Sequence, residues 1–519
     1  MKLWIPAALA LVACAFAAGG GQPVFAAPKP APSASPSPAP SPMVTREPLD
    51  QQIPRLQALL QKNPNDRESL GLLAQDFFET GRPDLTVALT QKLIQGGQKT
   101  AQIYYLEGIS LNQLGKPKEA LADLEQASNL EPTNLAVLST LANMYLQANR
   151  GPDAEKVALR AIKFNQTDKQ AYITYGQVLA AEQKYDEARQ QFEAAVKLDD
   201  KDAEPFIYEA QTYEKQSALA LASQEYDRAI AADPKSQPAL LGKARILSND
   251  HDVKNAVAIY TQVLGLVTTD TDHVAIMDEI AHLYAVEKMN AEADNEYRLA
   301  IQQYPKEAAA HLAYGDYLAF TKDTAGAERE WLAAAGPNNN FADAEARLGD
   351  YYGQKKDLDR AITHFKRLSE LSANDPRVWL TLGNAYAANK QYDKAAAAYK
   401  QSYAIQRGAE ALLGLAQADF LGHNYKECSV IYEALDKNQP QFAKVNPNVL
   451  YVLGQCYENS NQLEKALATY KRFLPFTRPG SQAQKQTNQI IAEVQAKLKP
   501  AKKPQSSATT GPAKAAASH

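Results

Sequence analysis

The chain has 519 residues, 45% of them hydrophobic and 22% charged, with only 25 glycines, the balance of a helical protein built around buried apolar faces. A formal net charge of -4, a pI near 6.1 and no basic stripe exclude the electrostatic footprint of a nucleic-acid binder. Length alone would give about three domains, but one internal regularity accounts for most of the chain.

Residues 1–26 place a lone Lys2 before an apolar run and then small residues, the order of an export signal. Val24-Phe25-Ala26 resembles a signal peptidase site, whereas Leu11-Val12-Ala13-Cys14 resembles a bacterial lipobox whose Cys14 would carry a lipid anchor. An uncleaved anchor is a third route, although the run from Leu3 to Ala18 is shorter than the ~20 residues a spanning helix needs. The expected location is periplasmic, cell-envelope or secreted, with a membrane tether through the N-terminus under the lipobox route. Residues 27–48 form a Pro/Ser/Ala-rich linker, extended and semi-rigid. In residues 49–64, Ile53, Leu56, Leu59 and Leu60 stand at helical spacing and predict a covering helix.

From residue 65 to 478 the spacing of small and large apolar residues repeats. In the stretch 105–132, Gly108, Leu111, Ala120, Leu124, Ala127 and Pro132 stand at offsets that return about 34 residues later. The Gly108 slot holds Ala74, Gly108, Ala142, Gly176, Ala210, Ala244, Ala281, Gly315, Gly349, Gly383, Ala416 and Gly454, which defines twelve units. Three residues on comes a large side chain, Asp419 excepted; twelve on comes Ala, with Thr86 and Cys428 departing; sixteen on the slot is aromatic from Phe192 through Tyr470. Small residues on facing surfaces let two helices approach while large neighbours fill the gaps, so each unit reads as one helical hairpin. Its turn is expected at Gly81-Arg82-Pro83, Gly115-Lys116-Pro117, Gly151-Pro152 and their equivalents, with Pro132, Pro234 and Pro305 closing second helices. A hairpin of about 34 residues cannot bury enough surface alone, so stacking is obligatory. Residues 479–499, with Ile490, Ile491, Val494 and Leu498 on one face, predict a C-terminal capping helix, and 500–519 form a low-complexity tail expected to be disordered.

This periodicity resembles the tetratricopeptide repeat. The resemblance implies an all-α fold, a right-handed superhelical solenoid of about twelve helix-turn-helix repeats, and a scaffold that binds protein or peptide partners in a concave groove, which the N-terminal segment would make an exported one. Two alternatives stand beside it: a structural or assembly component of a cell-envelope secretion or export complex, and a small-ligand or glycan-binding subunit. No catalytic or metal-binding motif accompanies the repeats. Gly108 to Gly115-Lys116 has the wrong spacing for a phosphate loop, no HExxH, GxSxG or paired CxxC occurs, and the seven histidines lie mostly in different units. No enzyme activity, cofactor or metal is expected. Cys428 and Cys456 fall on packing neighbours in the last two units; they are either two small buried residues or, in an oxidising compartment, a disulfide.

Numbering each unit so that Gly108 is position 8, about 100° per residue turns positions 2, 5, 9, 12 and 13 away from the packed face. In the tetratricopeptide family that set lines the groove, which the resemblance carries over to Tyr105 and Asp278 at position 5 and to the position 9 row. That row reads Gln75, Ile109, Asn143, Gln177, Gln211, Arg245, His282, Asp316, Asp350, Asn384, Gln417 and Gln455, eleven of twelve polar. Amides donate and accept, so such a row pairs with an extended backbone without demanding its sequence. The family's carboxylate clamp is missing, position 5 offering no lysine. Asp278, His282, Asp316, Asp343 and Asp350 gather in units seven to nine, an acidic middle suited to a basic segment or, less readily, a cation.

Overall fold

The computed structural model describes residues 47–336, 340–438 and 445–499. Cys14, the signal segment, nearly all of the linker and the tail fall outside the described residues. Among the described residues there are 26 α-helices, one 3-10 turn and no strand. The fold is an all-α helical repeat solenoid, with twelve hairpins in the predicted register. By contacts the chain divides into two compact units, Met1–Thr268 and Thr269–His519.

In the first unit, the helix Leu49–Lys62 covers the first hairpin: Leu56, 1% exposed, packs with Ile53 and Leu60 on Leu73 and Phe77. Six hairpins follow, Arg67–Glu79 with Pro83–Gln95, Ala101–Gln113 with Pro117–Leu130, Leu135–Gln147 with Gly151–Phe164, Lys169–Ala181 with Tyr185–Leu198, Glu204–Lys215 with Leu219–Ala232, and Gln237–Asn249 with Val253–Leu264. Asp66, Thr100, Asn134 and Asp168 cap first helices by accepting from a backbone N–H two or three residues on.

The second unit holds six more: Asp270–Val286 with Asn290–Gln303, Ala308–Phe320 with Thr324–Ala334, Ala342–Gln354 with Leu358–Leu371, Pro376–Ala388 with Tyr392–Ile405, Ala409–Leu421 with Tyr425–Asn438, and Asn448–Asn459 with Leu463–Phe473. The three residues that lengthen the seventh repeat are absorbed by a longer loop and a 17-residue first helix. Gln482–Leu498 closes the array, Val494 fully buried against the last hairpin with Ile490, Ile491 and Leu498, while Lys497 reaches Glu458 at 2.7 Å.

The hairpins are held by the small residues the periodicity singles out. Every Ala of the Ala120 slot is fully buried, and so are Thr86 and Cys428 that replace it. Glycine at position 8 answers a large partner: a Cβ on Gly349 would stand 2.5 Å from the Phe365 ring and one on Gly315 would stand 2.6 Å from the Trp331 indole. Position 15 turns each hairpin. It has positive φ in all twelve repeats, as glycine in Gly81 and Gly115 and as Asn149, Gln183, Ser217, His251, Lys288, Lys322, Lys356, Lys390, His423 and Asn461 elsewhere. The next N–H returns to the carbonyl of position 11, as Arg82 to Phe77 and Asp357 to Tyr352, the six-to-one bond of a Schellman motif. The expectation at Gly151-Pro152 is corrected accordingly: Asn149 makes the turn, and Gly151 opens the second helix.

Cys428 and Cys456 are joined as a disulfide with Cα atoms 6.1 Å apart, tying the second helix of repeat 11 to the first helix of repeat 12.

Two outcomes follow. Replacing Lys356, φ 62°, by Gly removes a side chain from a left-handed position and should raise stability by about 0.5–1 kcal/mol, read as a higher thermal midpoint. Alkylation of the denatured, unreduced protein should leave the Cys428 and Cys456 peptides unmodified, and prior reduction should label both; labelling without reduction would disprove the bond.

Candidate functional site

The structure keeps the whole position 9 row, with Tyr105 and Asp278 of position 5, at least partly in solvent, but it corrects the wider set: Ile173 and Ile207 at position 5 and Ala180 at position 12 are buried against neighbouring helices. In the first unit Gln75, Tyr105, Ile109 and Gln177 are half-buried, and Asn143, Gln211 and Arg245 are exposed. Tyr105 Oη lies 3.4 Å from Thr140 Oγ1. The Gln177 side chain hydrogen-bonds Tyr208. Arg245 Nη2 donates to both oxygens of Glu214, at 2.6 and 2.7 Å, so the guanidinium ties adjacent first helices together. Asn143 and Gln211 fit the amide reading most directly.

In the second unit Asp278, Asp316 and Gln455 are half-buried, and His282, Asp350, Asn384 and Gln417 are exposed. Asp316 accepts from Trp331 Nε1 at 2.9 Å and from Arg347 Nε at 3.0 Å, which corrects the acidic middle: one of its carboxylates is already neutralised, by a cation one repeat on. Burial pushes the Asp278 carboxyl above its usual range and Asp316 adds to the shift, against His282 and the Tyr297 hydroxyl bond. Among the described residues no three His, Cys, Asp or Glu side chains gather to hold a metal ion. Nor, among them, is any helix long and apolar enough to cross a membrane.

A second set of residues joins these faces that periodicity assigns to the core alone. The aromatic rings sixteen residues after position 8 pack inside the hairpin, but their polar tips reach outward. Trp331 bonds Asp316, Tyr399 Oη donates to Asn384 Oδ1 at 2.7 Å, and Tyr470 Oη donates to Glu458 at 3.1 Å. Tyr226 hydrogen-bonds Glu214, and Tyr297 bonds Asp278. A buried ring with a polar end seeks a partner. An acid or amide stands fifteen residues before a Trp or Tyr at Gln211, Asp316, Asn384, Gln417 and Gln455. The bond follows that spacing at Asp316 and Asn384, while Tyr226 and Tyr470 reach Glu214 and Glu458 twelve residues back, so the sequence signal is partial.

Two histidines find roles that ligand spacing does not reveal. His311 Nδ1 meets Glu330 at 2.9 Å in repeat 8 and His364 Nδ1 meets Glu345 at 2.7 Å in repeat 9, the same two positions with the partners exchanged. Each pair links the two helices of one hairpin. Off the inner face, Glu107 occupies a position filled by large apolar residues in most repeats and is 4% exposed. Its Oε2 has no hydrogen-bond partner. Burial, with Asp123 and Glu119 nearby, raises its carboxyl to about 7, and Asp123 itself rises to about 6.

Comparison with known proteins places the repeats. The Tetratricopeptide repeat protein 21 N-terminal ARM repeat matches residues 85–275, and Tetratricopeptide repeat matches 354–408 and 447–474. The chain belongs to the tetratricopeptide-repeat proteins, and with them to the protein–protein interaction scaffolds. No curated protein matches it. Among solved structures it is similar to YrrB, described as a TPR protein with an unusual peptide-binding site, at 24% identity over 36% of this chain and 95% of that one, TM-score 0.29. It is also similar to pilF of Pseudomonas aeruginosa, at 17% identity over 42% and 97%, TM-score 0.32. A third is the C-terminal part of a TPR repeat-containing protein from Cytophaga hutchinsonii, at 15% identity over 50% and 93%, TM-score 0.32.

The Glu107 carboxyl gives a pH-dependent outcome. Its pKa is about 7 folded against 4.5 in the open chain, so between those values the folded state binds more protons and stability falls as pH rises. Glu107→Gln should therefore be more stable than the parent by roughly 1–3 kcal/mol at pH 8, with the difference shrinking toward pH 5 in paired denaturation curves. A difference independent of pH would refute the buried, ionisable assignment.

Proposed function

We propose that the protein is an exported scaffold that holds segments of partner proteins against the inner faces of its first helices and performs no catalysis itself. The observation that carries this is the exposure of the position 9 row. All twelve residues of that row remain at least partly solvent-facing, and Asn143, Gln211, Asn384 and Gln417 present amides there. An amide row satisfies the donors and acceptors of an extended segment while tolerating varied side chains. Export is supported by the order of Lys2, apolar run and small residues. The Cys428–Cys456 bond agrees with it, since disulfides persist in oxidising compartments. Under the lipobox route Cys14 tethers the scaffold to a membrane, with residues 27–48 as the spacer.

The test compares the intact protein with a variant carrying Asn143→Ala, Gln211→Ala and Gln417→Ala, each exposed and outside the hairpin core. Pull-downs from the envelope fraction should lose specific partners with the variant while its thermal midpoint stays within a few degrees. If the same partners are retained, the inner-face reading fails and a role through the outer helices in an envelope assembly takes its place.

A further inference from the structure

We propose that the inner face of repeats 7 to 9 docks an amphipathic partner segment, one that sets a large apolar side chain against Phe320 and Val286 and lysine or arginine against the neighbouring carboxylates. The proposal rests on the scaffold reading and names the partner's chemistry. Phe320 and Val286 both stand at position 13, at the ends of adjacent first helices, and are 74% and 54% exposed. Elsewhere that position is mostly polar or alanine, as in Gln113, Gln147, Lys215 and Gln354. No other phenylalanine among the described residues is as exposed as Phe320. Its ring is not used by the fold. On the same two helices Ala285, Ala319 and Leu312 are partly buried against the core.

The same face is acidic. Asp278, Asp316 and Asp350 stand at positions 5 and 9 of the same three repeats, and Arg347 pairs with Asp316. An apolar pair beside a carboxylate row is complementary to a segment that alternates bulky apolar and basic residues, with the apolar contact supplying affinity and the charges register. Other occupants meet this surface less well. A second copy would bring like charge against like. An anionic membrane surface would be repelled. The chain's own tail, 500–519, supplies Lys502, Lys503 and Lys514 but no large apolar residue.

The test uses the full chain and a fluorescein-labelled amphipathic helical peptide of Lys, Leu, Phe and Ala, read by anisotropy, beside two controls: Glu in place of Lys, and Ala in place of Leu and Phe. The Lys peptide should bind with an affinity that falls as salt rises, and both controls should bind at least tenfold more weakly. Phe320→Ser with Val286→Ser should weaken binding about tenfold or more at an unchanged circular dichroism spectrum, and Phe320→Lys should do the same through repulsion. Asp278→Asn with Asp350→Asn should weaken binding and flatten its salt dependence. Equal binding by the Ser variant, or by the Glu peptide, overturns the proposal. Loss of peptide binding in an Asn143→Ala, Gln211→Ala variant instead would keep the scaffold reading and remove this one. Concentration-dependent dimers that vanish on Phe320→Ser in sedimentation would assign the face to a second copy and overturn it as well.

Discussion

The close approach of two helices at small residues is the constraint on which everything else in this protein depends. The Ala120 slot is fully sealed in every repeat, whether it holds Ala, Thr86 or Cys428. An added methyl group there has no room, and overpacking of that kind costs about 1–3 kcal/mol. Opposite it, position 8 has space for a Cβ only when the aromatic partner leaves it, which is why Gly349 meets Phe365 and Gly315 meets Trp331. Because this one contact recurs, each hairpin presents the same positions to solvent, and the chemistry of those positions is free to vary without disturbing the stack. Packing is assigned to one side of the first helix, and the other, at position 9, is left at least partly open to solvent.

That division explains how much could be read from the amino-acid order. Buried small and large residues recur with a period that local packing enforces, so the twelve hairpins, the covering helix over Leu56 and the capping helix around Val494 were all legible. The turns were legible only in part. Gly81 and Gly115 announce a left-handed residue, but the same geometry at Asn149, Lys322 or Lys356 is imposed by the returning six-to-one hydrogen bond and leaves no glycine to find. Gly151-Pro152 misled because a helix can begin on those residues as readily as end before them.

The inner faces were legible as positions and not as partners. Solvent exposure of Asn143, Gln211 and Gln417 follows from the helical period alone. What engages Asp316 does not: the Trp331 indole comes from the second helix of the same hairpin, and the Arg347 guanidinium from the next repeat. Both depend on rotamers and on neighbours about 15 and 31 residues away, distances at which periodicity carries no information on side-chain direction. The two units also differ in kind. Neutral amides and one paired arginine mark the first, whereas the second sets carboxylates beside exposed apolar side chains in repeats 7 to 9 and returns to amides at Asn384, Gln417 and Gln455.

The disulfide between Cys428 and Cys456 has a bearing on how such an array comes apart. In a stack whose stability passes only from neighbour to neighbour, opening begins at an end and proceeds inward. At the C-terminal end, repeats 11 and 12 are covalently one piece, and the helix Gln482–Leu498 lies over the last of them. The opposite end is covered by the single helix Leu49–Lys62, held by a few apolar contacts and the Gln52–Asp76 hydrogen bond. The array is therefore polarised like a zipper with one end stitched: its first repeats fray and its last repeats hold, and a partner seated on the carboxyl-terminal half is bound to the part of the molecule that is last to open.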